Sequence, residues 1–364
     1  MSQLTLKELH QHKLPMGILS AALLPDGQRM VAACMDGVYL TSLDRSLEPQ
    51  RLYAHDSYVS SVDWLNDDVI VSTGYDGVAC WFDLDAMQEI RRVKLHEFWS
   101  WDMALSPDRR LLASVTGQYL AGGYQYEPAP EREPSLRIVD AHSGEALHSL
   151  AHVPSVQAVA FSPDSQFVAA GNLMGEVRVF DTAGGSLVSN WTTPAFTSWG
   201  IIKSHCYLGG IFSMQFTPDG NGLLLAGMGP MRDPMAGNGK QLWQKWSWRD
   251  SQPQLIDQMH DGQAGEGLME TVAINPAGDL FALGGRLRGG DWNAALFDLN
   301  SGEQLVKLKT NCRIAQALFT PDDQRVVLVG LQGQPKEKHD GKFPDFGRID
   351  VFEIEREMST RTSE

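Results

Sequence analysis

Ten histidines, ten tryptophans and thirty lysines and arginines are where chemistry could reside in this chain of 364 residues. His96, His205, His260 and His339 stand where no ordinary packing role is evident from the sequence. With Glu266 or Asp340 they could ligate a divalent metal, because neutral imidazole and carboxylate suit Mn, Fe or Zn. No HExxH or comparable spacing joins them, so that reading rests on residue type alone. Arg286, Arg288, Arg313, Lys203, Lys309 and Lys336 could form a modest funnel for a carboxylate or a phosphate; solvated surface charge accounts for the same residues. Trp99, Trp101, Trp199, Trp292, Tyr124 and Tyr126 could stack on a sugar ring or grip a partner's side chain, with blade packing as the alternative. Gly265-Glu266-Gly267 and Gly284-Gly285 lack the strand-to-helix setting of a phosphate loop, and no Gly-x-Ser-x-Gly elbow is present.

These residues must be positioned by a repeated element. A turn signature recurs seven times: LPDG (24–27), LNDD (65–68), SPDR (106–109), SPDS (162–165), TPDG (217–220), NPAG (275–278) and TPDD (320–323). The second positions of these turns lie 41, 41, 56, 55, 58 and 45 residues apart, so three repeats carry insertions beyond a basal length of about 40 to 45. The second repeat is the fullest. It runs from His55 through Val59 and Val62, VIVST (69–73) and Asp76-Gly77 to VACWFD (78–83). Alternation with period two, broken by glycine-containing turns, predicts strands joined by hairpins.

That pattern resembles the GH...WD signature of the WD40 repeat family, in divergent repeats of the bacterial type. His55, Ser72, Asp76 and Trp81 stand where the family places a His-Ser-Asp-Trp hydrogen-bond network, and RIVD (137–140), VRVFD (177–181), ALFD (295–298) and DVFE (350–353) keep fragments of it. Ala54-His55 and Ala151-His152 depart from the Gly-His pair. The resemblance implies an all-β fold, a seven-bladed β-propeller of four-stranded antiparallel blades over residues 4–356, with 357–364 a polar tail. Inner strands are expected near 17–24, 58–65, 99–105, 155–161, 210–216, 268–274 and 313–319. The last repeat lacks an outer strand, while LTLKEL (4–9) precedes the first inner strand as an orphan. The N-terminal strand is therefore expected to pair into the last blade and remove its free edge.

In such a propeller the b-to-c hairpins and the d-to-a crossovers emerge on one face. The insertions fall in those connections, at 116–135, 228–240, 286–293 and 332–347 in the first class and at 191–210 and 259–269 in the second. Loops on a rigid scaffold are where binding residues concentrate. His55 and His152 are expected to be structural. His96 is expected to be free for other work, because its repeat has Ile138 in place of tryptophan and an insertion in place of the Asp-Gly turn.

A formal net charge of -15 opposes nucleic acid. No stretch approaches a membrane span, and the start lacks the features of a secretory signal, so a cytoplasmic address is expected. Cys34, Cys80, Cys206 and Cys312 are scattered without a CxxC pair and signal neither disulfides nor zinc. The expected function is an interaction or scaffold module that binds a protein partner through the loop-rich face. The alternative is a ligand-binding or catalytic propeller acting on an anionic small molecule such as a sugar acid. No resident cofactor is expected, apart from a divalent metal in the metal-assisted form of that alternative.

Overall fold

The computed structural model describes residues 4–117, 131–196, 210–233, 238–250, 252–287, 290–333, 337–338, 341 and 344–356. Within them, twenty-eight strands form seven four-stranded antiparallel sheets. The inner strands of blades 1 to 7 are Ile18–Leu23, Val59–Trp64, Ser100–Leu105, Val156–Phe161, Gly210–Phe216, Gly267–Ile274 and Arg313–Phe319. Each blade steps outward through strands b, c and d in sequence order, save the last. Its outer strand is Leu4–Leu14, paired antiparallel with Gly347–Arg356 from Leu4↔Arg356 to Leu14↔Gly347. The closure expected from the sequence is the one observed.

The repeated turn works through its side chains. Ser106 Oγ donates to Asp108 Oδ1 at 2.6 Å and accepts from the Leu111 N–H at 2.9 Å; Ser162, Thr217 and Thr320 repeat the arrangement. In six of the seven turns the fourth residue is left-handed, with φ of 64°, 70° and 71° at Gly27, Gly220 and Gly278 and of 60°, 60° and 59° at Arg109, Ser165 and Asp323. That conformation costs about 1–2 kcal/mol for a residue with a Cβ, which is why glycine recurs there. These a-to-b turns define the lower face. The b-to-c hairpins and d-to-a crossovers define the upper.

Apolar cores lie between neighbouring blades. Trp243 of blade 5, for example, meets Phe281 and Phe297 of blade 6 edge-on at 5.1 and 5.9 Å. In blade 2, His55 Nδ1 lies 3.1 Å from both carboxylate oxygens of Asp76, and Nε2 lies 2.8 Å from Ser72 Oγ. Burial works to raise the Asp76 pKa, but hydrogen bonds from His55 and from two backbone N–H groups outweigh it and hold the carboxyl below its ordinary value. Trp81 does not join this network. Its indole N–H donates to the Ala141 carbonyl of blade 3 at 2.7 Å, and the Tyr53 hydroxyl takes the place at Ser72.

Two further expectations are corrected by the blades themselves. His96 is buried, with Nε2 3.0 Å from Ser114 Oγ, so it occupies in blade 3 the position of His55 in blade 2. The missing Asp-Gly turn is replaced by Glu133, whose carboxylate accepts from the Glu97 and Phe98 N–H groups at 2.9 Å each. Trp292 is likewise buried, its indole donating to the Gln263 carbonyl at 3.1 Å and its ring set against Phe297, so it is core rather than rim.

Candidate functional site

Each of the seven inner strands carries one extra residue relative to its b-strand neighbour. The register breaks leave Leu19, Ser60, Trp101, Gln157, Phe212, Glu270 and Ala315 without a partner. A β-bulge re-aims a side chain. Here all seven bulged residues line one cavity of about 1010 Å³ along the axis, at the upper end of each inner strand. Every one of them stands six positions before the second residue of its repeat's turn, from Leu19 and Pro25 to Ala315 and Pro321.

Below this ring the blades are laced together. The Ala21 N–H donates to Gln316 Oε1 at 2.7 Å, Val159 N–H to Asp102 Oδ2 at 3.1 Å, Val272 N–H to Ser213 Oγ at 3.1 Å and Ala317 N–H to Thr271 Oγ1 at 3.1 Å. Each bond joins one inner strand to the next around the channel. Burial pushes the Asp102 carboxyl up to about 6, against the N–H groups of Val159 and Met103 that favour its ionised form.

At the mouth, Tyr75 of the blade 2 hairpin stacks on Trp99 at 4.9 Å and meets Trp101 edge-on at 5.0 Å; Tyr58 and Phe98 extend the cluster on either side. Tyr58 and Trp99 are 44% and 42% exposed, so this apolar surface faces solvent. The Trp101 ring lies directly over Gly117, where a Cβ would fall 1.2 Å from its Nε1. Gly117 is therefore what lets the indole fold down into the mouth.

Across the opening, Glu270 is held by two arginines. Arg286 Nε donates to Oε1 at 2.7 Å and Arg313 Nε to Oε2 at 2.5 Å. The Glu270 side chain is only 7% exposed, whereas those of Arg286 and Arg313 are 49% and 37% exposed. Burial pushes the Tyr75 phenol up to about 12; the charges of Arg313, Glu270 and Arg286 also bear on it. Among the described residues, the terminal guanidinium nitrogens and the Tyr75 phenol, which stays protonated at neutral pH, are donors left over on this side of the mouth. Glu270 is an acceptor already satisfied.

Trp99, Trp101, Arg286 and Arg313 are thus brought together, in a mouth completed by Tyr75 and Glu270, which the sequence reading missed. The constant six-residue offset from the turn would have pointed to Glu270. His260 is not part of the mouth. It is exposed, 3.0 Å from Asp257, and lies beside the Gly302 turn and Trp243 on the outer side of blades 5 and 6. His96 and His260 are therefore not brought together, and the expectation that they could ligate one metal ion fails. Glu266 pairs through its backbone with Lys240 in an isolated antiparallel β-bridge and does not line the cavity; Lys309 donates to the Gly290 carbonyl. Tyr124, Tyr126, Trp199, Lys203, His205, Arg288, Lys336, His339 and Asp340 lie outside the described residues. Among the described residues, no group of three or more His, Cys, Asp or Glu could hold a metal ion.

The family model described as "WD domain, G-beta repeat" matches residues 47–83 and 144–181. Both segments run from an outer strand through the following blade's third strand, and they contain His55 and His152. Similar curated proteins include Telomerase protein component 1 of Rattus norvegicus, 30% identical over 183 residues, which are 50% of this chain and 6% of that protein. Its Mus musculus counterpart is 30% identical over 166 residues, 45% of this chain and 6% of that protein. The chain thus spans about 6% of the length of the curated relatives it matches.

Proposed function

The chain is a WD40-repeat β-propeller, and on that premise we propose that it is an interaction module which holds a partner protein across the upper mouth of its channel. The observation that carries this is the aromatic cluster of Tyr58, Tyr75, Phe98, Trp99 and Trp101, packed ring against ring yet open to solvent at Tyr58 and Trp99. Large exposed aromatics that are already ordered lose little entropy on binding and dominate the energetics of protein interfaces. The relatives are named as a protein component of telomerase, which agrees with a propeller that works within an assembly.

The test is a photo-crosslinking amino acid placed at Trp99 and, separately, at Pro218 on the lower face, with covalent adducts resolved by mass from the protein's native cells. Protein adducts at position 99 and none at 218 are expected. Adducts only at 218, or none at either position, would count against the upper mouth as the docking face.

A further inference from the structure

Resting on that docking reading, we propose that Arg286 and Arg313 are the seat for one carboxylate of the partner, either an aspartate or glutamate side chain or a free chain terminus. Three observations converge. First, each arginine spends only its Nε on Glu270, and no other acceptor engages either guanidinium among the described residues. Four terminal nitrogens are left on two half-exposed side chains that line the same cavity. A guanidinium presents its donors in a fork that matches a carboxylate's two oxygens.

Second, Glu270 acts as the tether and not as a competitor. It enters the mouth as a bulged residue, and its buried carboxylate holds both guanidinium groups from the inside, so part of the ordering that binding would otherwise require is met beforehand. Third, the charge balance favours a monoanion. Two arginines and one glutamate sum to a single positive charge, in a chain whose formal net charge is -15. A carboxylate neutralises that charge; a phosphate dianion would exceed it in an already negative field. The bulged Ala315 and Phe212, with Trp101 across the opening, supply apolar wall for the methylenes that carry the acid. The Tyr75 phenol, held protonated by burial, adds another donor at the same mouth.

The experiment uses the full chain against immobilised degenerate octapeptides of four kinds with amidated termini, centred on aspartate, asparagine, lysine or phosphoserine, and a fifth set with a free C-terminus and no acidic residue. Retention of the aspartate set, the free-terminus set or both, at about tenfold or more over asparagine, is expected, and the set retained tells side chain from terminus. Arg286→Gln, which leaves Glu270 paired with Arg313, should erase most of that preference. The triple variant Glu270→Gln/Arg286→Gln/Arg313→Gln, which strands no buried charge, should erase the rest. Equal retention of asparagine and aspartate peptides, stronger retention of phosphoserine, or a preference that survives both variants overturns the carboxylate seat. Trp99→Ala separates this from the docking reading. If neutral or basic peptides bind and are lost in Trp99→Ala, docking stands and the carboxylate seat falls; if no set is retained better by the parent than by Trp99→Ala, both fall.

Discussion

Replacing His12 by leucine should make the propeller markedly less sensitive to acid. His12 sits on the closing strand opposite Ile349, is buried, and has no hydrogen-bond partner at either ring nitrogen among the described residues. Burial, and then the positive charge of Arg45, lower its pKa from 6.5 to about 4. A folded pKa below the unfolded one means that the unfolded chain binds the proton more tightly. The histidine's contribution is therefore whole above about pH 6.5 and is lost as the pH falls toward 4. At pH 5 the loss for such a pair of values is about 2 kcal/mol, and at pH 7.5 it is close to zero. His152 and His96, lowered by burial to about 4 and about 3, each lose a similar amount. Asp102 works in the opposite sense, since its folded pKa is raised to about 6 and protonation favours the fold; it returns on the order of 1 kcal/mol at pH 5. Against a total stability of about 5–15 kcal/mol the remainder is substantial. Urea unfolding at pH 7.5 and pH 5.0, followed for parent and His12→Leu, reads the difference. The variant should match or exceed the parent at pH 7.5 and lose about 2 kcal/mol less on acidification. Equal losses in the two proteins would refute the claim that a neutral, unpaired imidazole is sealed into the closing strand.

Two further outcomes follow from the same geometry. Deleting residues 1–12 removes most of the strand that covers Gly347–Arg356, so the exposed ladder should drive self-association, visible as dimers or larger species by light scattering; a monomer with the parent melting temperature would contradict the closure. Gly117→Ala should force the Trp101 ring off its seat at a cost of about 1–3 kcal/mol and shift the tryptophan emission, while Arg286 and Arg313 stay in place. An unchanged emission spectrum would show that the indole does not rest there.

The repeat count and the closing strand were legible because both follow from local chemistry. A serine or threonine, a proline, an aspartate and a left-handed fourth residue make the same turn wherever they occur, and an unpaired outer strand must find an edge. The mouth was legible only in part. Arg286, Arg313, Trp99 and Trp101 stood out by residue type, but Glu270 reaches the channel through a register break between two strands, which a single strand's pattern does not display. His96 was misread for a different reason. Its imidazole is bonded to Ser114 as His55 is to Ser72, while the loop beside it is held by Glu133, which arrives from the far end of the 116–135 insertion in place of the expected aspartate. His260 and Trp292 show that membership of a long loop does not fix direction: one turns outward against Asp257, and the other inward against Phe297.

The pairing of Leu4–Leu14 with Gly347–Arg356 also sets a clock on biosynthesis. At the ~5–20 residues per second of translation, roughly 20–70 s separate the emergence of Leu4–Leu14 from that of the strand it pairs with. Throughout that interval six blades can assemble, but the ring cannot close, and an apolar-faced segment waits without the strand it pairs with. The ring is therefore most exposed to misassociation before Gly347–Arg356 emerges, and a chaperone that shields Leu4–Leu14 until then would act at the moment of greatest need.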